Sequence, residues 1–224
     1  MMPVSETVAH ERAFGQDIPE TLSEALDPAR TALLVYDMQV GILGQLANGA
    51  HITSKVADVL TSARAVGLRT YFLRHMSLPT NLMGVFQMRQ ALAWQRKSSV
   101  DELSPWFLRD SEAHGITPEL TPLSTEAVFD KIGMSAFEGT PLDTALRDCG
   151  IRTFLIVGVA TEIGIEPTVR QGADLGYIPI VVEDACGAGH DEAGVRAIAS
   201  LRYMGDAMFT TVDEVASKLR GKTS

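Results

Sequence analysis

Two residues of opposite charge close two of the apolar runs in this chain. Ala32-Leu33-Leu34-Val35-Tyr36-Asp37 ends on a carboxylate, and Val128-Phe129-Asp130-Lys131 ends on an ammonium. If both runs are strands of one parallel sheet, Asp37 and Lys131 stand at the same end of it, where ligands of open α/β sheets bind. In that low-dielectric setting the lysine holds the carboxylate ionised or shares its proton, which is the equipment of a general acid–base couple. Arg74 and His75 follow a further apolar run, Leu68 to Leu73; Arg74 offers a bidentate grip on a carboxylate, and His75 a contact to ligand. Each residue also has a plain structural use. A strand-end Asp serves as a helix cap or ion-pair partner, most lysines are solvated, and His75 and His190 could be ordinary capped histidines.

The turn Gly158-Val159-Ala160-Thr161-Glu162-Ile163-Gly164 leads from the most apolar run of the chain into a helical pattern. The first N–H groups of that helix are donors for a developing oxyanion. Glu183-Asp184-Ala185-Cys186-Gly187 follows the next run and brings a thiol, Cys186, toward the same end of the sheet. Several other chemistries lack their signatures. No Gly-x-Gly-x-x-Gly follows the first strand, no Gly-x-Ser-x-Gly is present, and Asp37 with His75 or His190 has no metal-ligand spacing. The expectation is therefore no cofactor and no metal.

The elements that must position these groups alternate. Strands are predicted over 32–37, 68–73, 128–131, 154–159, 177–182 and 208–212. Helices are predicted over 49–67, 163–175 and 190–204, with Ile52, Val56, Val59, Leu60 and Ala63 at helical spacing and Gly67 as the stop. Pro179 favours an edge strand or a bulge. Strands alternating with one-sided helices predict an α/β, three-layer Rossmann-like fold, its parallel sheet of five to six strands covered by helices on both faces. No linker or repeat interrupts the pattern, so one domain over 1–224 is expected, with a core of about 30–212 and an N-terminal extension, 1–29. The segment 76–126 departs from the alternation and carries Met76, Met83, Met88, Trp94, Trp106 and Phe107. It reads as an active-site cover or as an oligomer contact.

Composition sets the outer limits. A net charge of −9 over 224 residues argues against a general nucleic-acid binder. No apolar run approaches the ~18 residues of a membrane span, and the first thirty residues carry six carboxylates and no apolar leader core. A cytoplasmic protein acting on a small molecule is expected, with no nucleic acid and no membrane as partner. The two cysteines, Cys149 and Cys186, are too few for a disulfide framework.

The stretches Leu33-Leu34-Val35-Tyr36-Asp37-Met38-Gln39, Lys131 with Met134-Ser135-Ala136-Phe137, and Gly158 to Gly164 together resemble the isochorismatase-like hydrolase superfamily, in order and over about 30–212. In the amidase members the catalytic set is Asp, Lys and a nucleophilic Cys, and the resemblance places these at Asp37, Lys131 and Gly164. This chain thus resembles the isochorismatases, which carry Gly there and cleave a vinyl ether with the Asp as general acid. The resemblance further implies a non-proline cis peptide between Val159 and Ala160, and an oxyanion hole from the N–H groups of Ala160 and Gly164. It implies a homodimer or homotetramer. The function expected is a hydrolase without the catalytic cysteine, acting on a small polar or anionic metabolite, with Arg74, His75 and Cys186 as substrate contacts. The alternatives are a non-catalytic ligand-binding member, and an amidase that uses Cys186.

Overall fold

The computed structural model describes residues 11–221. The parts of the expected domain and N-terminal extension at 1–10 and 222–224 lie outside the described residues. A small antiparallel hairpin, β1 (Glu11–Ala13) and β2 (Gln16–Ile18), leads into a one-turn helix, α1 (Leu22–Ala25). The main sheet begins at β3 (Thr31–Tyr36), followed by the short α2 (Val40–Leu43) and the long α3 (Gly49–Ala65). Next come β4 (Arg69–His75), α4 (Val85–Gln95), β5 (Ala127–Lys131), α5 (Leu142–Asp148) and β6 (Thr153–Val159). The chain ends with α6 (Glu166–Asp174), β7 (Ile178–Gly187), α7 (Asp191–Met204), β8 (Met208–Thr210) and α8 (Val212–Arg220).

Six parallel strands form the sheet in the order β5-β4-β3-β6-β7-β8. Every residue of β3 and β6 is buried, as central parallel strands covered on both faces must be. Their side chains alternate between two cores. Leu33, Val35, Leu155 and Val157 face α3 and α8, while Ala32, Leu34, Tyr36, Phe154 and Ile156 face α5, α6 and α7. A Leu or Phe fully buried in such a core contributes about 1.5–3 kcal/mol of transfer free energy. These two layers hold the strand ends rigidly, and the strand ends carry the polar residues.

Three expectations are corrected in detail. Pro179 sits in neither an edge strand nor a bulge, because β7 pairs with β6 on one side and β8 on the other. The Ile178 N–H bonds Arg152 O at 2.8 Å, so the next backbone nitrogen, the one lacking a proton, faces the side where pairing with β8 starts only at Ile180. The irregularity in β7 falls later, between the Ile156 and Gly158 registers, and lets the strand run on through Cys186 to Gly187. The helix expected from 163 begins as a π turn, Thr161–Ile165, before α6.

The segment 76–126 is built of α4 and four single 3₁₀ turns, Thr80–Leu82, Val100–Glu102, Glu112–His114 and Pro118–Leu120. It is tied down at few points. Met76 N–H bonds Lys131 O, Val40 N–H bonds Gly115 O, Thr117 N–H bonds Met38 O, and Arg64 on α3 clamps Glu126 through two hydrogen bonds of 2.8 and 2.7 Å.

Candidate active site

The register of the sheet decides what meets at its carboxyl end. Tyr36 lies beside Leu73 and His75 beside Lys131, so the residue after β3 and the last residue of β5 flank the end of β4. Asp37 leaves the strand at φ +49, a left-handed conformation that Asp tolerates better than most residues. Its N–H bonds Leu73 O at 2.9 Å, and the turn returns as Gln39 N–H bonds Asp37 O at 2.7 Å. Lys131 Nζ reaches Asp37 Oδ2 at 2.9 Å and sits 4.2 Å from the centre of the Tyr36 ring. The lysine side chain is wholly inaccessible, and Asp37 is 6% exposed. Burial pushes the Asp37 carboxyl up to about 6 against the opposing pull of Lys131, and burial lowers the ammonium. Both directions shift the proton toward the carboxylate. Asp37 Oδ1 has no hydrogen-bond partner.

Asp37 also lines a cavity of about 390 Å³. Its floor is Asp37, His75, Val159 and Ala160, and one wall carries Glu162, Ile163, Gly189 and His190 from the ends of β6 and β7. Ile42 and Leu46 come from α2 and the turn after it, and the cover contributes Trp94, Arg96, Trp106 and Phe107. Segment 76–126 is thus a cover of the cavity, with Trp94 and Phe107 edge-on to His75 at ring distances of 6.3 and 5.7 Å. His75 is held neutral. Burial, with help from Lys131 and His114, pulls its imidazole down to about 3, and its Nδ1 has no partner.

Gln39, fully buried, joins the floor to the cover. Its Nε2 donates to His75 O at 2.9 Å and to His114 O at 3.0 Å, and its Oε1 accepts the His75 N–H at 2.6 Å. Glu162 plays the corresponding part on the other wall. Its Oε1 accepts the His190 N–H at 2.8 Å at the start of α7, a favourable place for an anion, while its Oε2 is unpartnered.

The Val159–Ala160 peptide is cis. Gly158, at φ +121, leaves no room for a side chain, since a Cβ there would overlap the Tyr36 main chain. Gly164 N–H bonds Ala160 O at 3.0 Å, so it is spent within the π turn rather than offered to the cavity, which corrects the expected pair of backbone donors. Ala160 lines the cavity and Gly164 does not. A Cβ on Gly164 would overlap the Tyr36 phenol, whose hydroxyl donates to Met134 O. The tyrosine ring therefore fills the space that a side chain at 164 would need.

Two expected substrate contacts are corrected by their placement. Arg74 lies across from Asp130 in the β4–β5 register and donates from Nε to Asp130 Oδ1 at 2.8 Å. Arg109 and His114 approach the same carboxylate at 3.7 and 3.2 Å, and Arg74 is absent from the cavity wall. Cys186 packs at the edge of the core under α6 and α7, with Sγ 3.6 Å from Ile156 O. Burial pushes its thiol well above the ordinary range, the opposite of an activated nucleophile. The exposed Cys149 follows α5 at the far end of the sheet. Lys131 stands behind Asp37 and is absent from the cavity wall. Among the described residues, no group of three His, Cys, Asp or Glu is arranged to hold a metal ion.

Arg96, Gln39, Ile42 and Leu46 carry no sequence signal that assigns them to the cavity. The Met and Trp content of 76–126 was the available signal for the cover. Nothing local marks Gln39, whose partners are 36 and 75 residues away.

Comparison with known proteins gives a consistent outcome. The isochorismatase domain matches residues 31–214. The chain is 32% identical over 185 residues to the ureidoacrylate amidohydrolase RutB of Acinetobacter baylyi, covering 75% of this chain and 74% of that protein. It is 31% identical over 194 residues to an uncharacterized isochorismatase family protein, YecD, of Escherichia coli O157:H7, covering 87% of this chain and 98% of the relative. In structure it is similar to a cysteine hydrolase from Pseudomonas syringae pv. phaseolicola 1448A, with a TM-score of 0.74 at 24% identity over 88% of this chain and 95% of that one.

Proposed function

The chain belongs to the isochorismatase family, and from that premise we propose that it hydrolyses a small organic metabolite by proton transfer from Asp37, without a covalent thiol intermediate. The observation that carries this reading is Asp37 lining the cavity, with Lys131 against its Oδ2 and no protein partner on its Oδ1. A carboxyl pushed up to about 6 keeps a usable fraction of its proton near neutrality, as a general acid must.

For a vinyl ether, Asp37 delivers its proton to the terminal alkene carbon, water adds to the oxocarbenium carbon so formed, and the hemiketal expels the alcohol. For a C–N bond, water adds to the carbonyl carbon and Asp37 delivers its proton to the departing nitrogen. Water supplies the new bond to carbon, and the proton it releases restores Asp37. The cleaved bond is a vinyl ether or a C–N bond; RutB, named a ureidoacrylate amidohydrolase, is a relative of the second kind. Lys131 acts through Asp37 as a positioning residue, since it does not reach the cavity. His75, neutral and unpartnered at Nδ1, is a hydrogen-bond contact for substrate, and the Ala160 N–H is the remaining backbone donor. Gly164 with Tyr36 against it supports chemistry without a thiol at that position.

The test is a panel of enol ethers, carboxamides and N-carbamoyl compounds, run with the native protein and with Asp37→Asn. Loss of about 10³-fold or more in kcat/KM, with circular dichroism unchanged, is expected. Turnover that survives the substitution ends the mechanism. Compounds that stabilise the fold but are never cleaved favour the ligand-binding alternative instead. A single domain, a cytoplasmic location and assembly as a dimer or tetramer belong to the same reading; light scattering at micromolar concentration tests the last.

A further inference from the structure

We infer that Arg96 is the anion-binding residue of this cavity, and that the substrate is a flat, apolar monocarboxylate whose carboxylate points toward the α4 end of the cleft. The inference rests on the cavity being the active site and adds the substrate class.

The first support is an accounting of cations. Arg74 and Arg109 are committed to Asp130, and Lys131 to Asp37. His75 is held neutral by its surroundings. Arg96 lines the cavity and forms no ion pair among the described residues. It is the arginine left to meet a ligand anion, and its planar fork suits a carboxylate.

The second support is the backbone that carries it. Arg96 is the C-cap of α4 at φ +52 and ψ +45, with Lys97 N–H bonded back to Leu92 O at 3.0 Å. That is the left-handed end of a Schellman turn, a position that favours glycine and disfavours a side chain. Strain of this kind persists at functional sites, and here it presents a guanidinium to the cleft on a hydrogen-bonded turn.

The third support is the layout along the strand ends. Trp94 and Phe107, beside His75, lie over β4; Asp37 follows β3; Glu162, Gly189 and His190 lie at the ends of β6 and β7. Arg96 closes α4 two residues beyond Trp94, and Glu162 comes from the turn after β6, so the cation and this carboxylate reach the cavity from different elements. The unpartnered Glu162 Oε2 repels an anion at its end. One carboxylate is therefore directed to Arg96, with the apolar body between the Trp94–Trp106 side and Ile42, Leu46 and Ile163.

Titration calorimetry with benzoate, phenylacetate and trans-cinnamate, each beside its neutral amide, tests this. The native protein should bind the acids about tenfold more tightly than the amides. Arg96→Gln should erase that preference, and Arg96→Gly should erase it with an equal or higher melting temperature, since glycine suits the turn. Asp37→Asn should leave the preference in place, which separates this inference from the proton-transfer mechanism. Amides bound as well as acids, a preference that outlives Arg96→Gln, or no binding of any probe would each overturn it.

Discussion

The floor and the cover of the cleft are built by different physics. The floor is the carboxyl end of a buried parallel sheet, where ladder register places Asp37, His75 and Lys131 side by side and two cores clamp the strands from both faces. The cover is one helix and a string of 3₁₀ turns, with Val85, Phe86 and Trp94 exposed and α4 contributing no fully buried residue. Its attachments are single hydrogen bonds and ion pairs to Met38, Gln39, Val40, Arg64, Asp130 and Lys131. Rigid placement suits a proton donor whose acidity depends on burial, whereas a thinly anchored wall can vary its side chains at little cost in stability. Chemistry should therefore fail when the floor is altered, and selectivity when the cover is altered.

After Asp37→Asn, the largest expected effect is at Lys131. Lys131→Met removes the charge that restrains the Asp37 carboxyl, so burial alone then sets its acidity. The pKa rises further, and the donor becomes both weaker and less well oriented. Activity that needs protonated Asp37 falls as pH rises through about 6 in the native protein. In the variant that alkaline limb should move upward while the plateau rate drops about 10²-fold. A rate–pH profile distinguishes this from simple damage, because a merely destabilised floor would lower the plateau and leave the limb in place.

A second, smaller effect concerns the space beside Gly164. Gly164→Cys would force a side chain into the Tyr36 phenol and should cost about 1–3 kcal/mol by overpacking. Tyr36→Val opens that space at a cost of its own, since it also strips the ring from Lys131. In urea denaturation the double variant should be more stable than the two single losses predict, by about 1 kcal/mol or more. Additive losses would mean that the two positions do not compete for one volume.

These contrasts also explain what could be read from the sequence. The strands were legible because β3 and β6 are continuous apolar runs, and the Asp37–Lys131 pair followed once the runs were set parallel. Arg74 was misplaced for want of register. Adjacent residues of a strand point to opposite sides, and only the Arg74–Asp130 pairing shows that the arginine is already engaged. Cys186 was assigned to a loop because the sequence does not announce the shift that carries β7 on to Gly187. The cover was legible as an anomaly in apolar content and no further, since its path depends on single contacts such as Gln39 to His114, 75 residues apart.

Trp94 gives the smallest effect and the sharpest comparison within the cover itself. It is 39% exposed and touches the floor through the edge of His75, whereas Phe107, 5% exposed, is packed between His75 and Trp106. Trp94→Ala should cost less stability than Phe107→Ala, about 2 kcal/mol, because 39% of its surface stays in water. It should still weaken the binding of trans-cinnamate several-fold and raise KM with kcat unchanged, as loss of a contact made equally in ground and transition states does. Phe107→Ala, by contrast, should cost about 3 kcal/mol and lower both parameters, since that ring belongs as much to the floor as to the cover. If Trp94→Ala instead reduced kcat in proportion, the cover would be part of the proton-transfer machinery, and the division of labour between the two regions would fall.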